Sequence, residues 1–273
     1  LIVAPRRLPL PPRSWGVMLP LHALRPPDQG GLADYNDLAR AAEGLATLGA
    51  DFLGLNPIHA GFATDPSHFS PYTPSHRRRL RTIHIPDGPT PRPDGPHVDF
   101  AAAIPRRRAA LEVLFHKAQE GGLDPGFTTI RKQEGAALER FALHQALSER
   151  HGAHWTDWPF DLQVPNGPGA RAAAADLAEA VTFHAWLQWR AEAALRAAND
   201  RAHRAGMGLG LYLDLAVGTH PAGAETWEDR TSFAYNVSLG APPDAFSADG
   251  QSWGLAPFNP VSLIAQGFRP LAE

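Results

Sequence analysis

One stretch of the chain has the pattern of a β-strand that is buried on both faces: Met207-Gly-Leu-Gly-Leu-Tyr-Leu-Asp-Leu-Ala-Val217. Bulky aliphatic side chains alternate with small or polar ones. We therefore expect the aliphatic face to meet covering helices and the other face to meet a barrel interior or a ligand. Asp214 lies on the second face near the carboxyl end, where barrel enzymes build their active sites. The alternative is that Asp214 only caps the turn that follows.

Two earlier segments predict parallel neighbours for this strand. Trp15 to Leu24 has the pattern of a first strand that runs into a loop, and Ala50 to Pro57 has that of a second strand. Between them, apolar residues recur at helical spacing from Asp34 to Leu48, and Gly49 is placed to end the helix. A strand, helix, strand order of this kind favours parallel pairing with a right-handed crossover.

The composition limits the class of protein. The chain has 273 residues, 44% of them hydrophobic, a formal net charge of -3 and no cysteine. Such a chain can bury a sizeable core, has no general basic character for nucleic acid or anionic membranes, and fits a reducing compartment, so we expect a cytoplasmic protein. The arginine runs 77–79 and 106–108 are interpreted as solvated faces or anchors for carboxylates.

Between the second and third strands the sequence predicts a long loop and then several helices. The loop, from Ile58 to Gly95, is rich in Pro, Ser, Thr, His and Arg, with short strands expected around Arg81 to Ile85. The predicted helices are Ile104 to Glu120, Gly135 to Arg150 and Arg171 to Ala205. After the third strand we expect a loop and short helix from Gly218 to Trp227 and an extended loop from Leu239 to Pro260.

The histidines of the long loop do not form a recognisable metal motif. His59, His68 and His76 are spaced by nine and eight residues, which matches no common zinc arrangement. The sequence therefore predicts no metal site.

Two loops have residues suited to sugar binding. Ser70-Pro-Tyr-Thr-Pro74 offers hydroxyl groups and the flat face of Tyr72, and 240–254 offers Phe246 and Trp253 beside Asp244 and Gln251. Sugars have hydroxyl edges and C–H faces that suit this combination. The alternative for both loops is a surface turn with a packed aromatic ring.

Taken in order, these segments resemble the 4-alpha-glucanotransferases of glycoside hydrolase family 77, also called amylomaltases. The motifs that carry the resemblance are Trp15-Gly-Val17, Gly49-Ala-Asp-Phe-Leu-Gly-Leu-Asn-Pro-Ile-His-Ala60, Ser70-Pro-Tyr-Thr-Pro-Ser75, Phe183-His-Ala-Trp-Leu-Gln-Trp189, Leu211-Tyr-Leu-Asp-Leu-Ala-Val-Gly218, Gly240-Ala-Pro-Pro-Asp244 and Gly250-Gln-Ser-Trp-Gly254. The resemblance covers nearly the whole chain.

The resemblance implies an α/β fold, a partial (β/α)8 TIM barrel over residues 1–273 with a mainly helical insertion at about 98–180. It also implies transfer of α-1,4-glucan segments to a sugar acceptor by a retaining double displacement, with α-1,4-glucans and maltooligosaccharides as partners and no cofactor. The substrate-binding residues that we expect are Asn56, Ser70, Tyr72, Asp214, Asp244, Gln251 and Trp253.

No catalytic residue is expected in this chain. In the family the nucleophile lies in an Arg-x-Asp-His strand and the acid/base Glu on a later strand, and the sequence contains no Arg-x-Asp-His. The resemblance therefore implies the N-terminal part of a catalytic region, with Asp214 as a support or substrate-site residue.

Two other functions remain open from the sequence. The first is a non-catalytic glucan-binding or interaction protein that keeps the sugar-facing loops. The second is a different barrel hydrolase in which Asp214 acts with another carboxylate. The candidates for that second carboxylate are Asp34, Asp51, Asp244 and Glu225.

Overall fold

A three-stranded parallel sheet and the helices packed on it form the framework of the chain, as seen in a computed structural model. The structure describes residues 13–24, 32–87 and 97–272, so the part of the predicted long loop from 88 to 95 lies outside the described residues. The strands are β1 (Gly16–Leu19), β2 (Phe52–Leu55), β3 (His59–Ala60), β4 (His76–Leu80), β5 (Gly210–Tyr212), β6 (Leu239–Ala241) and β7 (Gln251–Leu255). The helices are α1 (Tyr35–Thr47), α2 (Phe100–Glu120), α3 (Pro125–Glu134), α4 (Ala136–His151), α5 (Pro168–Asp176), α6 (Ala178–Arg204), α7 (Ala224–Glu228), α8 (Pro260–Ala265) and α9 (Arg269–Ala272).

The parallel sheet confirms the predicted strand, helix, strand unit. Its order is β1-β2-β5, and both pairs run parallel, with Phe52 of β2 opposite Gly16 on one side and Gly210 on the other. The crossover helix α1 begins after Asp34, whose side chain accepts hydrogen bonds from the amides of Asn36 and Asp37 in a capping box. It ends before Gly49, whose φ of 85° is the left-handed conformation that a helix-terminating glycine supplies.

The third strand is shorter than predicted, and one flank of it is uncovered. Only Gly210–Tyr212 is paired, and β5 is an edge strand of the sheet in the described chain. Leu211 packs against the main core, whereas Leu209, Leu213 and Leu215 are 53%, 50% and 63% exposed. The expectation that all the aliphatic side chains of this stretch meet covering helices was therefore wrong for the described structure.

Two predictions about the loops were also wrong. Arg81 to Ile85 was expected to contain strands, but β4 ends at Leu80 and a 3-10 turn follows at Thr82–His84. The expected extended loop from Leu239 to Pro260 instead contains the antiparallel hairpin β6-β7. Short strands of this kind depend on their pairing partners more than on their own residues, so sequence pattern alone predicts them poorly.

Helices between β4 and β5 make most of the core. α2 begins four residues before the predicted start, at Phe100, and α3 was not predicted at all. The helix predicted from Arg171 to Ala205 is two helices, separated at Leu177, where φ is -102° and ψ is 19°. Leu177 lies between Asp176 and Ala178, so no glycine or proline in the sequence indicates this break.

α6 packs on both α1 and α4 and so connects the sheet to the helical segment. Most of the arginines named above anchor carboxylates in this framework, because Arg77, Arg79, Arg107 and Arg108 pair with Glu225, Glu134, Asp87 and Glu149. None of the helices in the described residues is both long and apolar enough to cross a lipid bilayer.

Candidate functional site

The carboxyl ends of β2 and β5 bring Asn56 and Asp214 to one edge of the sheet. Gly54 and Tyr212 are paired, and Asn56 and Asp214 each follow two residues later. Asn56 Oδ1 accepts a hydrogen bond of 3.1 Å from the amide of Leu21, so this side chain also fixes the turn after β1. Asp214 is half-buried. This is the edge at which parallel α/β sheets bind ligands.

His59 lies beside Asp214 and was not among the predicted site residues. Its Nε2 accepts a hydrogen bond of 3.1 Å from the amide of Ala216, which holds the segment after β5 against β3. Burial lowers the pKa of His59, and the carboxylates of Glu225 and Asp214 oppose that shift in part. The ring is therefore a neutral connector at pH 7. The only sequence signal for it is its place directly after the second predicted strand.

The loop 70–75 presents an exposed aromatic ring. Tyr72 is 55% exposed, and the Oγ of Ser70 accepts a hydrogen bond of 3.3 Å from the Tyr72 amide. Ser70 thus shapes the turn that presents Tyr72. Tyr72 is exposed, whereas Ser70 has the role of a turn residue, which was the alternative for this loop.

The hairpin β6-β7 carries the other three predicted residues. Asp244 Oδ1 accepts hydrogen bonds from the amides of Phe246 and Ser247, both at 2.8 Å, and so closes the hairpin turn. Gln251 Oε1 accepts a hydrogen bond of 3.0 Å from Trp253 Nε1, which orients the indole ring. Phe246 is fully exposed and Trp253 is 42% exposed. The hairpin therefore offers two aromatic surfaces on a frame that its polar residues fix.

Thr219 joins the loop 70–75 to the hairpin. Its buried hydroxyl donates to the carbonyl of Pro74 at 2.8 Å, and its own carbonyl accepts from the amide of Ala256 at 2.9 Å, just after β7. Thr219 thus brings together three segments: 70–75, 213–220 and 239–255. We call these three segments the loop face. All seven predicted substrate-binding residues except Asn56 lie on the loop face, and Asn56 lies at the strand edge beside it.

A buried ion pair supports the loop face from beneath. The guanidinium of Arg77 binds both carboxylate oxygens of Glu225, at 3.1 and 2.9 Å, and stacks on the ring of Phe258 with 4.4 Å to its centroid. Gly223 allows the close approach that places Glu225 here, since a Cβ at this position would lie 2.6 Å from the carbonyl oxygen of Ser75. The charges of His76 and Arg77 outweigh the effect of burial and lower the pKa of Glu225.

The other carboxylates proposed as partners for Asp214 have structural roles. Asp34 caps α1, Asp51 accepts from the amide of Trp15 at the amino end of the sheet, and Glu225 is in the buried ion pair. Asp244 closes the hairpin turn. Each of these four carboxylates is thus engaged in a structural contact.

Three histidines from separate segments meet where His220, in the loop face, approaches His68 and His154. Of the three loop histidines considered in the sequence, only His68 belongs to this cluster. His59 binds the amide of Ala216, and His76 binds Glu228 at 2.9 Å. Burial and the neighbouring His154 and His68 lower the pKa of His220 to about 4. No spacing rule could have found this cluster, because its members are brought together only by the fold.

Comparisons with known proteins show the family of the chain. A family model described as 4-alpha-glucanotransferase matches residues 19–273. The 4-alpha-glucanotransferase of Mycobacterium tuberculosis is 34% identical over 302 residues, which cover 98% of this chain and 42% of that protein. The chain thus spans about two fifths of the length of that relative.

Solved structures give the same relationship. The amylomaltase from Corynebacterium glutamicum is 31% identical with a TM-score of 0.73, and the match covers 94% of this chain and 38% of that one. A second match is the amylomaltase from Streptococcus agalactiae, solved in complex with acarbose, which is 18% identical with a TM-score of 0.79. This match covers 94% of this chain and 55% of that one. The mixed α/β fold of this chain is therefore that of amylomaltase structures.

Proposed function

The chain belongs to the 4-alpha-glucanotransferase family, glycoside hydrolase family 77, and we propose that it forms the glucan-binding part of a transferase acting on α-1,4-glucans and maltooligosaccharides. The observation that supports the proposal is the junction at Thr219, which joins the loop of Tyr72 to the hairpin of Trp253. Exposed aromatic rings on a fixed frame suit the C–H faces of sugar rings.

The reaction that we propose is a retaining double displacement. In the first step a carboxylate attacks the anomeric carbon while an acid protonates the departing glycosidic oxygen. In the second step the hydroxyl of an acceptor sugar displaces the carboxylate, and the group that served as the acid now accepts the proton of that hydroxyl. The role of this chain would be to hold donor and acceptor sugars in position, which contributes to rate by orientation. No cofactor takes part in these steps.

We further propose that the two reacting carboxylates are not in this chain. The sequence contains no Arg-x-Asp-His, and Asp34, Asp51, Asp244 and Glu225 are engaged in structural contacts. Asp214 would then support the sugar site through His59 and the strand end. Asn56, Ser70, Tyr72, Asp244, Gln251 and Trp253 would line or shape the site.

The architecture that fits this proposal is a partial (β/α)8 barrel over 1–273, in which β1, β2 and β5 are barrel strands and the segment at about 98–180 is a helical insertion. The parallel order of the three strands and the helices α2 to α5 support it. A cytoplasmic location is consistent with the absence of cysteine.

The proposal can be tested by binding and by turnover, measured separately. Acarbose and maltoheptaose should bind the 273-residue chain, and Trp253→Ala should weaken binding about tenfold through loss of ring contact. Trp15→Ala is the matched control, because Trp15 is 47% exposed but lies at the amino end of β1, away from the loop face. Equal effects of the two substitutions would contradict the assigned site.

Turnover is measured as maltotriose disproportionation, with released glucose and longer maltodextrins separated by chromatography. We expect products from a fusion that adds the C-terminal part of the Mycobacterium tuberculosis relative, and none from the 273-residue chain by itself. Products from the chain by itself that disappear in Asp214→Asn would instead favour the hydrolase with Asp214 as a reacting group. Binding without turnover in both proteins would favour the non-catalytic glucan-binding alternative.

A further inference from the structure

Three imidazole rings converge from three distant parts of the chain. His68 lies in the loop after β3, His154 in the turn after α4, and His220 in the loop after β5. One ring nitrogen from each lies within 4.8 Å of the other two. The ring of Phe62 contacts all three, with centroid separations of 5.3, 5.4 and 5.0 Å, so the cluster is apolar on one side and half-buried overall.

The surroundings of His68 and His154 leave a nitrogen of each ring available for a ligand. His68 Nδ1 lies 2.8 Å from Asp65 Oδ2, which fixes the proton on Nδ1 and leaves the lone pair of Nε2 open. A carboxylate behind an imidazole in this way is the usual support of a metal-binding histidine. His154 Nε2 is buried and has no hydrogen-bond partner among the described residues. A buried nitrogen of this kind is costly unless something binds it.

His220 is the weaker member of the cluster. Its Nδ1 accepts a hydrogen bond of 3.1 Å from the amide of Ala222, so in the neutral ring the proton is on Nε2. Binding of a ligand at Nε2 would move that proton to Nδ1 and would sacrifice the bond to Ala222. His220 should therefore contribute less to affinity than His68 or His154.

We propose that His68, His154 and His220 form a site for a divalent metal ion of the zinc type. Imidazole nitrogens suit zinc, which takes three protein ligands and a water at tetrahedral sites with metal to nitrogen distances of about 2.1 Å. Nitrogens bound at that distance are about 3.4 Å apart, so the rings would have to approach one another by about 1 Å or less each.

The ion would hold separate chain segments together. The amide of His220 donates to the carbonyl of Pro74 at 2.9 Å, and the amide of Trp155, next to His154, approaches the carbonyl of Ala222 at 3.4 Å. A metal at the cluster would therefore hold the helical segment, the loop of His68 and the loop of His220 as one unit. This role is independent of the proposed transferase activity.

The first test uses the 273-residue chain freed of metal with a chelator. Titration with Co²⁺ should give the intense visible absorption of a tetrahedral site at one ion per chain, and Zn²⁺ should displace it. Zinc at about 100 times its dissociation constant should raise the melting temperature by roughly 5 °C or more. Absence of both the absorption and the melting shift would overturn the proposal.

Variants assign the binding to this cluster. His154→Ala and His68→Ala should abolish the Co²⁺ absorption and the melting shift, and Asp65→Asn should weaken zinc binding about 10- to 100-fold. His116→Gln, on an exposed position of α2, is the control and should bind like the parent chain. Unchanged binding in Asp65→Asn and His154→Ala would mean that zinc binds elsewhere. If His154→Ala does not fold, Asp65→Asn and the parent spectrum still decide the question.

Discussion

The guanidinium of Arg77 and the carboxylate of Glu225 form a bidentate ion pair in which both side chains are almost fully buried, with exposed fractions of 5% and 3%. The amide of Arg77 also donates to Glu225, at 3.0 Å. The carboxylate thus has donors from both the side chain and the backbone of one residue. This pair fixes β4 to α7 directly beneath the loop face.

Removing one partner of that pair should be costly. Arg77→Ala is expected to lower the free energy of unfolding by about 3–5 kcal/mol, because it leaves the Glu225 charge buried and unpaired. The measurement is urea denaturation followed by circular dichroism. Arg40→Ala breaks an ion pair in which Arg40 is 50% exposed and should cost less than about 1 kcal/mol. Similar losses in the two variants would contradict the importance assigned to burial.

Glu228 should make stability depend on acid. Burial alone would raise its pKa, but the hydrogen bond and charge of His76, with Arg78 and Arg140, outweigh burial and lower the pKa to about 2. Because the pKa of Glu228 in the folded chain lies below the usual 4.5, its carboxylate contributes fully to the free energy of unfolding above about pH 4.5. This contribution is lost as the pH falls toward 2.

Glu228→Gln should therefore be less stable than the parent chain by up to ~3 kcal/mol at pH 7, with the gap closing between pH 4.5 and 2. Urea denaturation at pH 7, 4 and 3 measures this gap. Asp176→Asn is the control, since Asp176 is 66% exposed and its pair with Arg150 should add little at any pH. A gap that stays constant across the acid range would refute the assignment.

The hydroxyl of Thr219 should determine how firmly the loops of the loop face are joined. Thr219→Val keeps the shape but removes the donor to Pro74, and we expect a loss of about 1–2 kcal/mol in unfolding free energy. Hydrogen exchange of the amides of His220 and Ala256 should become faster, because both cross the same junction. Thr219→Ser retains the hydroxyl and should restore protection. Equal exchange in all three proteins would show that the hydroxyl is dispensable.

The uncovered flank beyond β5 should promote self-association of the isolated chain. A double substitution, Leu213→Lys with Leu215→Lys, should reduce light scattering and binding of a hydrophobic dye, because it places charge on an exposed apolar edge. Val113→Lys is the control, since Val113 is 54% exposed on a helix. A parent chain that stays monomeric at high concentration would count against this reading of the flank.

The sequence predicted the parts of the fold that depend on local pattern. The start of α1 near Asp34, the stop at Gly49 and the parallel pairing of the first two strands follow from periodicity and turn chemistry, and the structure confirms them. The break at Leu177 and the 3-10 turn at Thr82–His84 have no such signal, because tertiary packing determines them.

The candidate site stays a prediction, and the structure adds details of it that the sequence does not contain. Tyr72 and Trp253 are exposed, as a sugar-binding role requires, whereas Ser70, Asp244 and Gln251 also shape their own loops. Thr219, His59 and the histidine cluster were missed because their partners are far away along the chain. Hydrogen bonds between distant residues leave no periodic trace in a sequence.

The position of β2 in the sheet has a consequence for the order of folding. β2 pairs with β1, which precedes it closely, and with β5, which follows only after the whole helical segment. During synthesis the first pair can form early, but the second must wait until α6 and β5 have emerged. The sheet therefore closes by a contact of long sequence separation, which is a slow kind of step. Until that step, one edge of β2 has no partner strand, and the helices α2 to α6 have to fold while the sheet is incomplete.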